Sequence, residues 1–472
     1  MAVQKKKSSL KAAFWYTVSN LISKTILYLC TPLFTRILTK TELGQYYNFI
    51  SLQNILLTIF ALDLGASITV AYFDYEDKEF QSFISTISLT SVVVPLVLSS
   101  FVIFFKDFFT QLFNMEWHHL LILLSNLTLG NTLQLFQVEQ YARVEYRLSS
   151  FLTFFSAAGT VLLTFALLFI NMTDKLTAVL IGNVAFNIVV SMLLLLFLLK
   201  RKLSFRWNHL KFALILSIPL IPHTLSSAIT GSSGQVLITK FCGAEKTALF
   251  GLAFTISLIV TMFVSSVNKA WVPWFYDKLK RSEIDKIKNA VKTMLPAFSA
   301  GTIGLCLIAP EIILIVGGGK YEDAIYLMPP IILHCFFNFV YTLYVNIEFY
   351  EKKTYLISLA TICTAVVNFS LNYVLLQKFD YYIAAYVTFF TALLLLLFHF
   401  LIVSWMNKIY IFDNGFILQM LLITSFVSFL IILTYQYNTI RLFSVLFYGI
   451  AIVFSLIKNK VMVSNLLREL LG

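Results

Sequence analysis

The chain has 472 residues, 59% of them hydrophobic and only 12% charged, where soluble domains carry about 25% charged residues. That gap excludes an ordinary soluble domain and places the chain among polytopic membrane proteins. The net charge of +12 raises nucleic acid as a partner, but the cations cluster at the ends of apolar stretches, where they orient a membrane protein, so no nucleic-acid role is expected.

A crossing needs about 20 mostly apolar residues. That length predicts an all-α membrane protein of about fourteen transmembrane helices, with spans near 12–35, 44–72, 82–105, 117–139, 149–170, 176–199, 212–239, 247–268, 293–316, 325–347, 355–377, 382–405, 415–434 and 442–457. The joints between them are too short for a catalytic domain, so no enzyme activity, cofactor or metal site is expected. The five cysteines lie in or beside apolar segments without a CxxC pair and read as small hydrophobes.

Span 1 follows Lys5-Lys6-Lys7, a start that imitates a secretory signal. No small-residue cleavage site follows, and Asn20 and Lys24 interrupt the apolar run, so it reads as a retained helix. Its polar residues Thr17, Asn20, Lys24, Tyr28 and Thr31 are spaced 3, 4, 4 and 3, which is one face of a helix. A charge at the bilayer centre costs about 3 kcal/mol on insertion scales. Lys24 therefore either snorkels to the headgroups or faces a water-filled cavity as a cation suited to phosphate. Span 2 carries Asp63 off its Ser51, Asn54, Thr58 and Gly65 face, as a structural tie or as an ion-coupling group.

Span 4 lines up Asn126, Gly130, Gln134, Gln137 and Tyr141. Beyond it, Arg143 has Glu139 one turn earlier, so an ion pair is the alternative to a role at the cavity mouth. In span 7, Pro219, Pro222 and the run Gly231-Ser232-Ser233-Gly234 mark weak points, beside His223, Thr224 and Ser227. Lys269 follows span 8 as a cavity cation or a topology anchor. Glu311, behind Pro310, is expected to be solvated. Span 10 shows His334, Asn338, Tyr341 and Glu348; span 11 shows Thr361, Thr364, Asn368 and Asn372.

Amides and hydroxyls can hold membrane helices together. Five such stripes spread over both halves point instead to a hydrophilic central cavity, lined by Asn20, Lys24, Gln134, Gln137, Arg143, His223, Lys269, His334, Asn338 and Asn368. Asp63 and Glu348 are candidate ion-coupling groups. With the N-terminus inside, 25 of the 35 Lys and Arg fall on the inner side, nine on the outer side, and Lys24 within. That bias predicts both termini in the cytoplasm. The joint pattern Thr41-Glu42-Leu43-Gly44-Gln45-Tyr46 recurs as Ala248-Leu249-Phe250-Gly251-Leu252-Ala253. This suggests two parallel, pseudo-symmetric six-helix lobes, 1–205 and 206–410, with an appended helix pair in 411–472.

Three ordered stretches carry a resemblance: Thr31-Pro32-Leu33-Phe34-Thr35-Arg36-Ile37-Leu38, Glu42-Leu43-Gly44-Gln45-Tyr46, and Leu62-Asp63-Leu64-Gly65. Ala309-Pro310-Glu311, Gly317-Gly318-Gly319-Lys320-Tyr321, Ala324 and Pro329-Pro330 add a fourth. Together they resemble the polysaccharide-export flippases, which move lipid-linked oligosaccharides of the O-antigen, capsule or teichoic-acid type and are related to multidrug and toxic-compound (MATE) extruders. The resemblance implies a flippase that carries undecaprenyl-pyrophosphate-linked repeat units across the bacterial cytoplasmic membrane by alternating access. It also implies membrane lipids, and the polymerase and chain-length proteins of the same pathway, as partners. Members of the family are described with a cationic lumen of several arginines, whereas here no arginine lies deep in a span. A cation-coupled drug extruder on the same fold is the alternative, and a membrane-embedded polysaccharide polymerase a more distant one.

Overall fold

The computed structural model describes residues 15–458 except 17, 27, 171–173 and 200–203, and every regular element among them is helical. Eleven helices are long and apolar enough to cross a membrane. The other three expected spans fall on span 1, which includes Thr17 outside the described residues, on a helix broken at Gly130, and on the shorter apolar stretch Asn438–Phe454. Both termini also lie outside the described residues. By contact the chain forms two compact units, Met1–Ala248 and Leu249–Gly472. This division assigns the Trp207–Ser217 and Ile221–Cys242 helices to the first unit.

In the first unit, three spans are interrupted. The helix Lys40–Ala61 starts on a capping box, with Thr39 and Glu42 each accepting the other's backbone N–H. It stops where Leu62 and Asp63 both adopt φ +49°, and Gly65–Asp74 resumes the course. The second break separates Trp117–Leu129 from Asn131–Ala142, and the third is a 3-10 turn at Ile218–Leu220.

The half-helices pack in two sets. Lys40–Ala61 lies against Ile221–Cys242 and Trp117–Leu129, while Gly65–Asp74 lies against Asn131–Ala142 and Trp207–Ser217. One core holds Phe49, Leu52, Phe60, Leu120 and Leu127; the other holds Leu64, Ile68, Phe80, Phe83 and Leu135. Lipid is as apolar as these side chains, so close packing and interhelical hydrogen bonds hold such contacts together. Ser51 accordingly bonds Gln235 across the first set, and a Cβ on Gly44 would lie 1.7 Å from the Ala244 carbonyl oxygen. The expected weak point at Gly231–Gly234 is continuous helix, with Ser232, Ser233 and Gly234 buried and Gly231 exposed. The chain breaks earlier, around Pro219.

The Ala244–Lys280 helix, whose first residues belong to the first unit and the rest to the second, runs unbroken to its end, unlike its proposed counterpart, span 2. Trp271, Phe275, Phe336, Val340, Ile347 and Leu396 anchor the core of the second unit. The final two helices dock onto Ile284–Leu307: the Tyr435 hydroxyl donates to the Cys306 carbonyl at 2.6 Å and the Tyr448 hydroxyl to the Ala300 carbonyl at 2.7 Å. Glu311, expected to be solvated, is 42% exposed and also takes both its oxygens to the buried Arg441, at 2.6 and 2.7 Å. The charged partner 130 residues away was invisible to local reading. All five cysteines are free.

Candidate substrate-facing site

Span 1 shows what separates packing from exposure. The Ser19 hydroxyl reaches the Ser150 hydroxyl at 3.3 Å, and the Ser23 hydroxyl donates to the Thr153 carbonyl at 3.2 Å. Those two serines turn one face onto the Tyr146–Phe169 helix. Asn20 and Lys24 follow them by one residue, about 100° further round, and both are exposed. Lys24 makes no hydrogen bond or ion pair with a described residue.

Around it the expected lining residues have different fates. Gln134 is exposed. Gln137 donates to the Thr153 hydroxyl at 3.2 Å, so spans 1, 4 and 5 meet in one polar seam. Beside the seam, Trp15, Ser19, Ile22, Arg147, Ser150 and Phe154 help line a groove of ≈ 460 Å³. Arg143 is tied down: its Nε donates to Glu139 at 2.9 Å and its guanidinium lies 4.9 Å from the Phe80 ring centre. Asp63 and His223, both half-buried, lie near the breaks of spans 2 and 7 and interact electrostatically. The Ser217 hydroxyl donates to the Asp63 carbonyl at 3.0 Å.

The second unit separates its candidates in the same way. Lys269 is exposed. His334 contacts the Thr388 carbonyl through Nδ1 at 3.1 Å and the Asn338 amide nitrogen through Nε2 at 2.9 Å. A carbonyl only accepts and an amide nitrogen only donates, so this arrangement corresponds to a neutral ring protonated at Nδ1. Asn368 is a correction: it is 1% exposed, donates to the Thr391 hydroxyl at 3.0 Å and accepts from Asn372 at 3.2 Å. In this conformation it joins two helices and faces no open space.

Glu348 is also fully buried, against His399 at 2.6 Å. Sequence reading missed His399, although Thr388, Thr391 and His399 form a sparse polar stripe on an otherwise apolar helix. Glu116, His118 and His119 were missed as well; they bring candidate ligand atoms within 4.8 Å of one another. Hydrogen bonds already engage that group, His119 with Thr177 at 3.0 Å and Thr177 in turn with Asp174.

Helices of this length and apolarity, many times repeated, define an integral multi-pass membrane protein. Residues 9–278 match the family described as polysaccharide biosynthesis protein, and the chain belongs to that family. It is similar to Lsg locus putative protein 1 of Haemophilus influenzae, 23% identical over 171 residues, which are 35% of this chain and 42% of that one. It is similar also to an uncharacterized membrane protein of the same organism, 26% identical over 227 residues, 46% of this chain and 56% of the other. The chain thus spans about half the length of the curated relatives it matches.

Among solved structures, the lipid II flippase MurJ in an inward closed conformation aligns with a TM-score of 0.73 at 15% identity, over 95% of this chain and 99% of that one. An inward-facing multidrug resistance MATE family transporter of the MOP superfamily aligns with a TM-score of 0.57 at 15% identity, over 82% and 96%. The fold is therefore of the MurJ and MATE type.

Proposed function

We propose that this protein is a flippase that moves undecaprenyl-pyrophosphate-linked oligosaccharide repeat units across the bacterial cytoplasmic membrane, by alternating access, for capsule, O-antigen or exopolysaccharide synthesis. Both termini are cytoplasmic in this reading, as the 25-to-9 bias of cations suggests. The pathway's polymerase and chain-length proteins act next to it. The repeat-based division into 1–205, 206–410 and 411–472 describes its ancestry, and the contact-based units describe its packing in this conformation.

Lys24 carries the reading. A cation within a membrane helix, with no hydrogen bond or ion pair to a described residue, costs free energy in hydrocarbon and has a use where an anionic head must cross. Asn20 on the same face offers hydrogen bonds to sugar hydroxyls. Such a path replaces the hydration that sugar and phosphate would lose in lipid, and no covalent step is required. In the first unit Gln134, Gln137 and His223 are further polar candidates, with Arg143 held by Glu139; in the second unit Lys269, His334 and Asn338 are its own polar candidates.

The test is reconstitution of the full chain in proteoliposomes loaded with a polyprenyl-pyrophosphate oligosaccharide, read by the arrival of sugar at an external lectin. Acceleration well above protein-free vesicles is expected. No acceleration, together with cation-driven efflux of organic cations, would replace this reading with the drug-extruder alternative.

A further inference from the structure

Glu116, His118 and His119 gather at the start of the Trp117–Leu129 helix, each with one ligand-type atom within 4.8 Å of the others. Asp174, just before the Lys175–Leu199 helix, joins the group from a second segment of the first unit. His118 stands between the two carboxylates, with Nδ1 3.5 Å from Glu116 Oε2 and Nε2 3.8 Å from Asp174 Oδ2. Both separations are too long for good hydrogen bonds. In a tetrahedral zinc site, with metal–ligand distances of about 2.0–2.2 Å, neighbouring ligand atoms stand about 3.3–3.6 Å apart. The group is near that spacing, and rotation of its exposed side chains closes the rest.

The neighbours of His119 set its tautomer. Asp174 accepts from Thr177 twice, from the backbone N–H at 3.0 Å and from the hydroxyl. That spends the one hydroxyl proton of Thr177, so at the 3.0 Å contact between His119 Nε2 and Thr177 Oγ1 the ring donates. Nδ1 then keeps a lone pair and makes no hydrogen bond with a described residue. Metal sites orient a histidine ligand in this way, by letting its other nitrogen donate a hydrogen bond. Gln45, Asn48, Glu116 and the 5% exposed His119 help line a cavity of ≈ 10 Å³, room for about one water. Asn48 is 1% exposed; its amide nitrogen donates to the Phe113 carbonyl at 2.9 Å, and its Oδ1 is buried with no partner among the described residues. No Lys or Arg pairs with Glu116 or Asp174 among the described residues, and Lys175 donates to the Ile37 carbonyl at 3.4 Å. With neutral imidazoles the group therefore carries two negative charges, matched to a divalent cation.

We propose that Glu116, His118, His119 and Asp174 bind one divalent transition-metal ion of the zinc class, which staples together the starts of two packed membrane helices of the first unit. Mixed nitrogen and oxygen ligands favour zinc over magnesium or calcium, which take oxygen ligands. Coordination through His119 Nδ1 leaves its Nε2 bond to Thr177 in place. A water on the metal, seated in the small cavity, donates to Asn48 Oδ1. Helix N-termini carry partial positive charge, and the two carboxylates offset it for the bound cation. Nothing in the site depends on the flippase reading.

The experiment uses the full chain, without a polyhistidine tag, in lipid nanodiscs stripped with a chelator at neutral pH. Cobalt(II) is the first probe, read by its visible absorption, and zinc(II) is then titrated in to displace it. Wild type should bind one ion per chain, with the absorption of a four- or five-coordinate cobalt on nitrogen and oxygen ligands. Zinc should also raise its unfolding temperature. His118→Ala and Glu116→Gln alter exposed side chains, so both should fold, weaken zinc binding at least about tenfold and abolish the thermal shift. Thr177→Val removes the bond that orients His119 and should weaken binding about tenfold. Absence of saturable one-to-one binding to wild type overturns the proposal. So does unchanged zinc affinity in folded His118→Ala and Glu116→Gln, the mark of adventitious surface binding. Metal alone is the probe, so neither outcome bears on transport.

Discussion

Replacing Lys24 with alanine separates a substrate-facing cation from a structural one. Its side chain is exposed and forms no hydrogen bond or ion pair with a described residue, so the folded protein should lose almost nothing: within about 0.5 kcal/mol, as for surface sites away from special features. Transport should lose much more. A hydrogen bond to a charged group is worth about 1.5–3 kcal/mol, and each 1.4 kcal/mol is about tenfold in affinity. The half-saturating concentration of lipid-linked oligosaccharide should therefore rise roughly 10- to 100-fold. Lys24→Arg keeps the charge and should stay within a few-fold of wild type. The assay is the initial lectin-capture rate across a range of substrate densities, with thermal unfolding of the same preparations. Wild-type rates for Lys24→Ala at subsaturating substrate would refute the role. So would a large loss of thermal stability, which would reveal a structural partner.

The Glu311–Arg441 pair predicts an asymmetry, since Arg441 is 6% exposed and Glu311 42%. Glu311→Gln leaves a buried guanidinium without its counter-charge and should cost about 3 kcal/mol. Arg441→Met leaves a carboxylate that water can reach and should cost about 1–2 kcal/mol; the reverse order in thermal unfolding would count against this account. Gly44→Ala sets a methyl group against the Ala244 backbone and should cost about 1–3 kcal/mol. Gly231→Ala, where nothing lies within 4 Å of the added carbon, should be neutral or gain up to about 1 kcal/mol from helix propensity. At the 405–415 joint, the hydrogen bond from Lys292 holds the Asp413 carboxyl below the usual range. A lowered folded-state pKa gives stability that is present above the unfolded value of about 3.9 and lost as pH falls through the folded value. Lys292→Met should thus be less stable than wild type at neutral pH and converge with it in acid, as the pH falls through the folded-state value.

The spans were legible because lipid demands long apolar runs; span 2, expected from 44, starts at Lys40 behind the Thr39–Glu42 capping box. Its break was not. Leu62 and Asp63 take positive φ without being glycine, and no local preference announces that. The opposite error arose at Gly231–Gly234, where residues read as a weak point form continuous helix, Ser232, Ser233 and Gly234 buried and Gly231 exposed. Among the candidate site residues, helical spacing identified the polar face and said nothing about what lies opposite. Asn20 and Asn368 stand in similar stripes, yet one is exposed and the other is bonded between helices. His399 was missed because its stripe is sparse: it follows Thr391 by eight residues, about two turns of mostly leucine.

The breaks in the first unit also limit how that unit can move. A broken helix frees backbone groups that the bilayer cannot satisfy, so it persists only where protein or water does so. Ser191 does this for span 4: its hydroxyl donates to the Gly130 carbonyl and accepts from the Leu133 N–H, each at 3.3 Å. Ser217 does it for span 2 through the Asp63 carbonyl. Single hydroxyls reaching in from a neighbouring helix thus hold two of the interruptions in place. A hydroxyl can exchange one carbonyl for another at small cost, since membrane hydrogen bonds average only about 0.6 kcal/mol. These two breaks are therefore held, yet cheap to rearrange when the half-helices shift.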